Sequence, residues 1–473
     1  MCDARNERAH GRAEGGPLGI VTKTASPSTF DPETGEVLDT SPATTRAGRW
    51  AIKSVANRLL PTSRTAKCMV LRAPIAGHGL ADIDVCKGST KGRAFYHGLM
   101  ACGSVWTCPL CAAKISERRR PELKDATAAA KALGWASHFV TLTIPHGIGD
   151  DVQELLDKLS VALRRMSSGK LAIKRQIEQR LPGEVVHGYI RALEVTHGVN
   201  GFHPHFHMIL FTSPGISSAF LQRAYLAAWQ KACVAAGLPE PSEKHGVTVQ
   251  DGSRAAEYAS KWGIEDEMLK GHTKQTRQKG LTPWGMLRAV LDGEDLDYPP
   301  DRAGKLFQVY ARAFAGRRQL YWSNGLRAKL ELAKELSDEE IVAKPDEEEA
   351  LILASLTVEQ WKAIRRKGQQ AHLLTVAESA PALVQQVVER LCEKESAMTE
   401  KPTDRPWSCA RCMSPVQPEW RAVVLGGFDG WQGLSHCPAC GNNSIHHSGD
   451  GNFGMLVEAV HKSGGDLTLT PSR

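Results

Sequence analysis

Three histidines, His203, His205 and His207, occupy alternate positions in the stretch GFHPHFHMILF that runs from Gly201 to Phe211. In a β-strand alternate side chains share a face, so the three imidazoles point one way. Phe206, Met208 and Leu210 then point the other way, which predicts an apolar side and a row of nitrogen ligands. Imidazoles two residues apart stand about 6–7 Å apart at Cα and can converge on one metal ion. Pro204 lacks an N–H, which suits an edge strand or its entry. The preceding RALEVTH segment offers Glu194 as a carboxylate, with His197 or His203 as alternative third ligands. Two imidazoles and a carboxylate suit Mg²⁺ or Mn²⁺ acting as a Lewis acid on a phosphate oxygen.

A metal that polarises a phosphodiester still needs a nucleophile. SRAAEYASKW carries Tyr258, with Arg254 four residues before it and Lys261 three after. That spacing puts all three on one helical face. Two flanking cations favour phenolate and would neutralise charge on a scissile phosphate.

Twelve cysteines supply a different chemistry. Cys409 and Cys412 (CARC) and Cys437 and Cys440 (CPAC) are paired knuckles, the pattern of a tetrahedral structural Zn²⁺ site. Upstream, Cys102, Cys108 and Cys111 in CGSVWTCPLC predict three ligands of a second zinc, with either Cys68 or Cys86 as the fourth. Cys233, within AYLAAWQKACVAAG, reads as a core residue.

The elements that must carry these groups follow from periodicity and punctuation. SHFVTLTIP reads as a strand stopped by Pro145, and EVVHGYIRALEVTH, GVNG and FHPHFHMILFT as a hairpin. DDVQELLDKLSVALRRMSSG places Val152, Leu155, Leu156, Leu159, Leu163 and Met166 on one face of a helix. SSAFLQRAYLAAWQKACVAAG predicts another helix, followed by the short strand HGVTVQD and the tyrosine helix. Antiparallel strands with segregated helices indicate an α+β fold. CAAKISERRRPELKDATAAAKALGW predicts a helix broken or kinked near Pro121, whose basic SERRRPELK is a candidate phosphate contact, as is RRK at Arg365 to Lys367.

The organisation predicted is a disordered polar segment 1–48, a cysteine-rich zinc-binding segment with its basic helix 49–125, and a nuclease-like domain 126–336. A helical segment 351–392 and a zinc ribbon 407–445 follow. A length of 473 residues exceeds one ordinary domain, and 42% hydrophobic residues suffice for real cores. A net charge of +7 permits a nucleic-acid partner without establishing one. The opening MCDARNERAHGRAEGG has no apolar h-region, and no run is apolar for long enough to span a membrane. The expectation is a cytoplasmic chain whose thiols stay reduced, so its cysteines point to metal before disulfide.

Three segments in order, HFVTLTIP, NGFHPHFHMIL and EYASKW, resemble the motifs of HUH single-tyrosine rolling-circle replication initiators of bacterial plasmids. CGSVWTCPLCAAKISERR and FAGRRQLYWSNGLR are similar to segments of that family's larger members, so the resemblance spans about Cys68 to Leu332. It implies an HUH nuclease of RRM or ferredoxin-like type, with a five-stranded antiparallel sheet holding the histidines centrally and the tyrosine helix alongside. It implies a metal held by His205, His207 and Glu194, and Cys68 as the fourth ligand of the upstream zinc. Tyr258 would attack origin DNA to give a 5′-phosphotyrosine and a free 3′-hydroxyl, with Lys261 steadying the phosphate. Single-stranded and origin DNA, host helicase and host polymerase would be the partners. One departure stands out: where some relatives carry a glutamate one turn before the tyrosine, this chain has Arg254. Glu257 is about 100° round the helix from Tyr258, and Glu265 is two turns on beyond Gly263, so termination by hydrolysis or by a second protomer's tyrosine both remain open.

Three other readings compete. A transposase or mobilisation relaxase would use the same nuclease core. A histidine-triad nucleotide hydrolase would use His205 as nucleophile without metal, leaving Tyr258 and the cysteines idle. A binding module with zinc ribbons would bind DNA and do no chemistry.

Overall fold

The computed structural model describes residues 42–75, 77, 79–169, 172–261, 281–293, 298–344, 349–392, 407–408, 414–416, 418–425, 428–440, 443–449 and 470–471, and two short strands before them. Those strands, β1 (Thr29–Phe30) and β2 (Val37–Leu38), pair antiparallel within a unit of their own, residues 1–41. The second unit starts at Pro42, where helix α1 (Pro42–Leu59) begins inside the segment expected to be disordered. A single turn, α2 (Arg64–Lys67), capped by the Ser63 hydroxyl, leads into Cys68.

Four short strands follow, β3 (Pro74–Ile75), β4 (Gly79–Leu80), β5 (Ile83–Gly88) and β6 (Ala94–His97). The histidines sit in a five-stranded antiparallel sheet whose strand order is β10-β7-β9-β8-β11. Its members are β7 (Ala136–Leu142), β8 (Val186–Gly198), β9 (Gly201–Thr212), β10 (Val247–Gln250) and β11 (Leu320–Trp322). β8 and β9 form the expected hairpin, closing at the Gly198–Gly201 pair. Gly201 has φ +85°, and a Cβ there would meet the Gly147 carbonyl oxygen at 3.0 Å, so glycine is required on both counts.

β9 is the central strand, and Pro204 therefore lies in the middle of the sheet. The exception is local. β7 pairs with β9 only from Phe206 to Thr212, so at Pro204 the strand has a ladder partner on the β8 side alone, Val195. A residue without an N–H is tolerated because that stretch of β9 is an edge.

Both faces of the sheet are covered. Phe206, Met208 and Leu210 enter a large core with α4 (Val152–Ser167) and α6 (Ser218–Ala235), and α5 (Ile173–Arg180) packs beside them. The histidine face is not purely a row of ligands: Ile209 and Phe211 continue it into a second core with Leu123, Ala126, Phe139 and Ala255. Those residues belong to α3 (Pro109–Ala132), β7 and α7 (Gly252–Lys261), so the tyrosine helix packs on the histidine side. A Cβ on Gly252 would lie 3.1 Å from the Ser137 carbonyl oxygen, so the start of α7 sits hard against β7.

α3 runs unbroken through Pro121 from 109 to 132, crossing the boundary expected at 125. Its Arg119 is buried between Glu335 (3.1 Å) and Asp338 (2.7 Å), which makes this part of the basic run a packing element and not a phosphate contact. The Asp338–Ala343 helix, started by a Ser337–Glu340 capping box, belongs to the same contact.

The segment expected to be helical, 351–392, opens instead with β12 (Ala350–Leu356). β12 pairs with β5 (Ile83–Gly88), which pairs with β6 (Ala94–His97), giving a three-stranded sheet built from distant parts of the chain. Three helices, Val358–Arg366, Gln370–Ser379 and Val384–Cys392, close a core over it around Trp361, Leu373 and Val387. Beyond 407, short strands Trp407–Ser408 and Pro415–Val416 pair, and Glu419–Leu425, Phe428–His436, Asn443–Gly449 and Thr470–Pro471 form an antiparallel sheet. Among the described residues no helix is long and apolar enough to cross a membrane.

Candidate active site

Register decides which groups meet. Glu194 on β8 stands directly opposite His205 on β9, two residue pairs from His207, which faces Ala192. The Glu194 Oε2 atom is 3.8 Å from His205 Nε2 and 3.5 Å from His207 Nε2. One ligand atom from each of the three lies within 4.8 Å of the others, the arrangement of a small metal-binding triad. His197 is on the opposite face, its Nδ1 engaged with the Tyr298 hydroxyl at 3.1 Å. His203 lies on the correct face but outside the triad, stacked on His146 with ring centroids 4.6 Å apart.

The outer hydrogen bonds aim the rings. His205 Nδ1 is 3.0 Å from the His203 carbonyl oxygen, which can only accept, so the proton is on Nδ1 and the Nε2 lone pair faces Glu194. His207 Nδ1 is 3.0 Å from the Thr141 hydroxyl, and the Phe139 ring stacks on the imidazole with centroids 5.1 Å apart. Burial lowers the His207 pKa to about 4, against the opposing pull of Glu194, and lowers His203 to about 3. Both rings are neutral at pH 7, the state in which imidazole offers a lone pair.

Arg254 also bears on His207, its positive charge pushing the same pKa down. The start of α7 packs on the histidine side of the sheet, with Arg254 in its first turn. Tyr258 and Lys261 lie four and seven residues further along that helix, in a continuous described backbone. Their side chains, and Glu257 and Glu265, lie outside the described residues.

A second cluster gathers Cys68, Cys102, Cys108 and Cys111, all buried, with ligand atoms within 4.8 Å of one another. Sulfur separations of 3.5 Å (Cys68–Cys111), 3.6 Å (Cys102–Cys111) and 3.6 Å (Cys68–Cys108) describe a tetrahedral set. Hydrogen bonds from Cys108, Cys111 and Cys68 pull the Cys102 thiol well below its ordinary range, helped by the Ser104 N–H at 3.4 Å, whereas burial lifts Cys108. Cys86 is elsewhere, in β5 opposite Phe95. Of the C-terminal four, Cys437 is buried and Cys440 half-buried, following a hairpin strand, while Cys409 and Cys412 lie outside the described residues.

The sequence profile of the replication protein family matches residues 97–369, more than half of the chain. The chain belongs to the replication protein family. "Protein rep" of Streptomyces lividans is 28% identical over 359 residues, covering 61% of this chain and 78% of that protein. A shorter match of 142 residues, 29% identical, joins it to a "Neomycin resistance protein" of Streptomyces cyanogenus, covering 26% of this chain and 32% of that protein. No solved structure matches.

The span shared with the replication protein family takes in the Cys102–Cys111 knuckle, the histidine sheet, α7 and the start of the C-terminal helices. Thr141, His146 and the His203 carbonyl had no distinguishing signal in the sequence, because their roles depend on cross-strand register. Thr141 alone had a hint: strand alternation places it on the same face as Phe139.

Proposed function

We propose that this replication protein initiates rolling-circle replication of a plasmid by nicking one strand at the origin. The observation that carries the reading is the packing of α7 on the histidine side of the sheet, where Ala255 joins the core with Phe139 and Ile209; Tyr258 and Lys261 are three and six residues beyond Ala255 in the same helix. A Mg²⁺ or Mn²⁺ ion held by His205, His207 and Glu194 would act as a Lewis acid on the scissile phosphodiester. The Tyr258 phenolate oxygen attacks phosphorus, the P–O3′ bond breaks, and the leaving 3′-oxygen takes a proton from water to become a hydroxyl that host polymerase extends. The phosphorus stays on the tyrosine as a 5′-phosphotyrosine, and the same step reversed rejoins strands. Arg254 and Lys261 neutralise the phosphate as charge moves onto it.

Cys68, Cys102, Cys108 and Cys111 would hold a structural Zn²⁺ that fixes the start of α3, and Cys409, Cys412, Cys437 and Cys440 a second one. The family match supports replication over the transposase and relaxase alternatives.

The test is direct. Protein with Mn²⁺ and a 3′-labelled origin strand should give a labelled covalent adduct joined through the 5′-phosphate, and chelation of the metal beforehand should prevent it. Tyr258→Phe should abolish the adduct and leave strand binding within about twofold. An adduct that persists in Tyr258→Phe would move the nucleophile elsewhere.

A further inference from the structure

The sheet face opposite the histidines carries a second polar site. Along β8 the side chains alternate, so Glu194 faces the histidines while Tyr189 and Arg191 face the other way, under α4. There they meet Ser160, Arg164 and Ser167 of α4 and Tyr321 of β11, around an open cavity of about 420 Å³.

Arg191 is the unusual group. Its guanidinium carbon lies 4.9 Å from the Phe206 ring centroid and 4.8 Å from that of Tyr321, between two aromatic rings. Burial lowers its pKa, and Arg318 adds to the effect, against Tyr189 and Tyr321, which raise it. It is charged at neutral pH regardless. A partly buried cation without an acidic partner is costly unless something anionic completes it.

The neighbouring arginines sharpen the point. Arg317 is neutralised by Asp157 at 2.7 Å and Arg318 by Glu335 at 2.6 Å. Arg164, exposed at the rim, and Arg191, at the floor, have no acidic partner among the described residues, and no carboxylate lines the cavity. The two cations thus sit at different depths of one opening. A guanidinium sandwiched on its faces keeps its N–H edges for a planar, two-pronged contact, which suits phosphate oxygens. The volume falls in the range of small-ligand sites, and the tyrosine rings offer a flat apolar wall to a base.

We propose that this cavity binds the phosphate ester of a nucleotide, with Arg191 and Arg164 holding its oxygens and Tyr189 and Tyr321 flanking the base. The nucleotide is either free or part of a DNA strand passing behind the sheet. The site is independent of the nicking centre, which lies on the other face, and stands whether or not Tyr258 is the nucleophile.

The experiment uses the full chain without added Mg²⁺ or Mn²⁺ and measures binding of dTMP and of a thymidine tetranucleotide by calorimetry. Arg191→Gln and Arg164→Gln should each weaken at least one probe tenfold or more. Arg165→Gln, an exposed neighbour outside the cavity, should leave the affinity within twofold. Stronger binding of dTMP identifies a free nucleotide, and stronger binding of the tetranucleotide a strand. Arg191→Gln should melt no lower than the native chain without ligand, since it removes an uncompensated charge, and Arg164→Gln, at the exposed rim, tests binding without risk to folding. The proposal is overturned if neither probe binds, or if Arg164→Gln and a folded Arg191→Gln bind both probes like the native chain.

Discussion

Thr141→Val isolates the aim of one triad ring from its presence. Valine keeps the shape of threonine and its strand preference, so β7 and its ladder with β9 remain. What is lost is the 3.0 Å contact between the Thr141 hydroxyl and His207 Nδ1. A buried polar atom left without its partner costs about 1–3 kcal/mol, which converts to roughly 5- to 150-fold in an equilibrium constant. Outer-sphere partners of ligating histidines lie in the same range, about 10- to 100-fold in metal affinity. The Phe139 ring, stacked on the same imidazole at 5.1 Å, limits how far it can swing, which favours the lower half of that range. Origin-strand cleavage measured across a Mn²⁺ titration should show half-saturation raised about tenfold or more, with the rate at saturating metal within a few-fold of native. Thr141→Ser, which restores the hydroxyl, should return it. Unchanged half-saturation, or a rate that saturating metal does not restore, would refute the role assigned to this contact.

Other outcomes follow from the same structure. His372 is buried, its Nε2 has no hydrogen-bond partner, and burial lowers its pKa from 6.5 to about 4. The unfolded chain takes up this proton first as pH falls, so stability is lost from pH 6.5 downward, reaching about 3 kcal/mol by pH 4; His372→Leu should flatten that part of a denaturation-versus-pH curve. Arg119→Met removes the buried partner of Glu335 and Asp338 and should cost about 3 kcal/mol in chemical denaturation, the low end for a broken buried pair, since both acids keep some water contact. Cys68→Ser should reduce the zinc measured per chain by one equivalent and lower the melting temperature, whereas Cys86→Ser should leave the zinc content unchanged.

Local patterns were legible in the residues alone. Alternation through 186–212 predicts the β8–β9 hairpin, and the spacing of Val152, Leu155, Leu156 and Leu159 predicts α4, whose buried face is as expected. The same periodicity put three imidazoles on one strand face and Arg254, Tyr258 and Lys261 on one helix face, because side-chain direction depends only on the element's own repeat. Tertiary structure decided what such a repeat cannot carry. Pairing register placed Glu194 opposite His205 and sent His197 to the far face. Chain closure over 43 positions brought Cys68 to Cys111 and left Cys86 in a strand. Packing turned Arg119 from a surface charge into a buried tie, and recruited 350–356 as a third strand beside β5 where helix was expected. Each of these depends on partners distant in sequence, whose meeting is fixed by the whole fold's burial of apolar surface and not by any local run of residues.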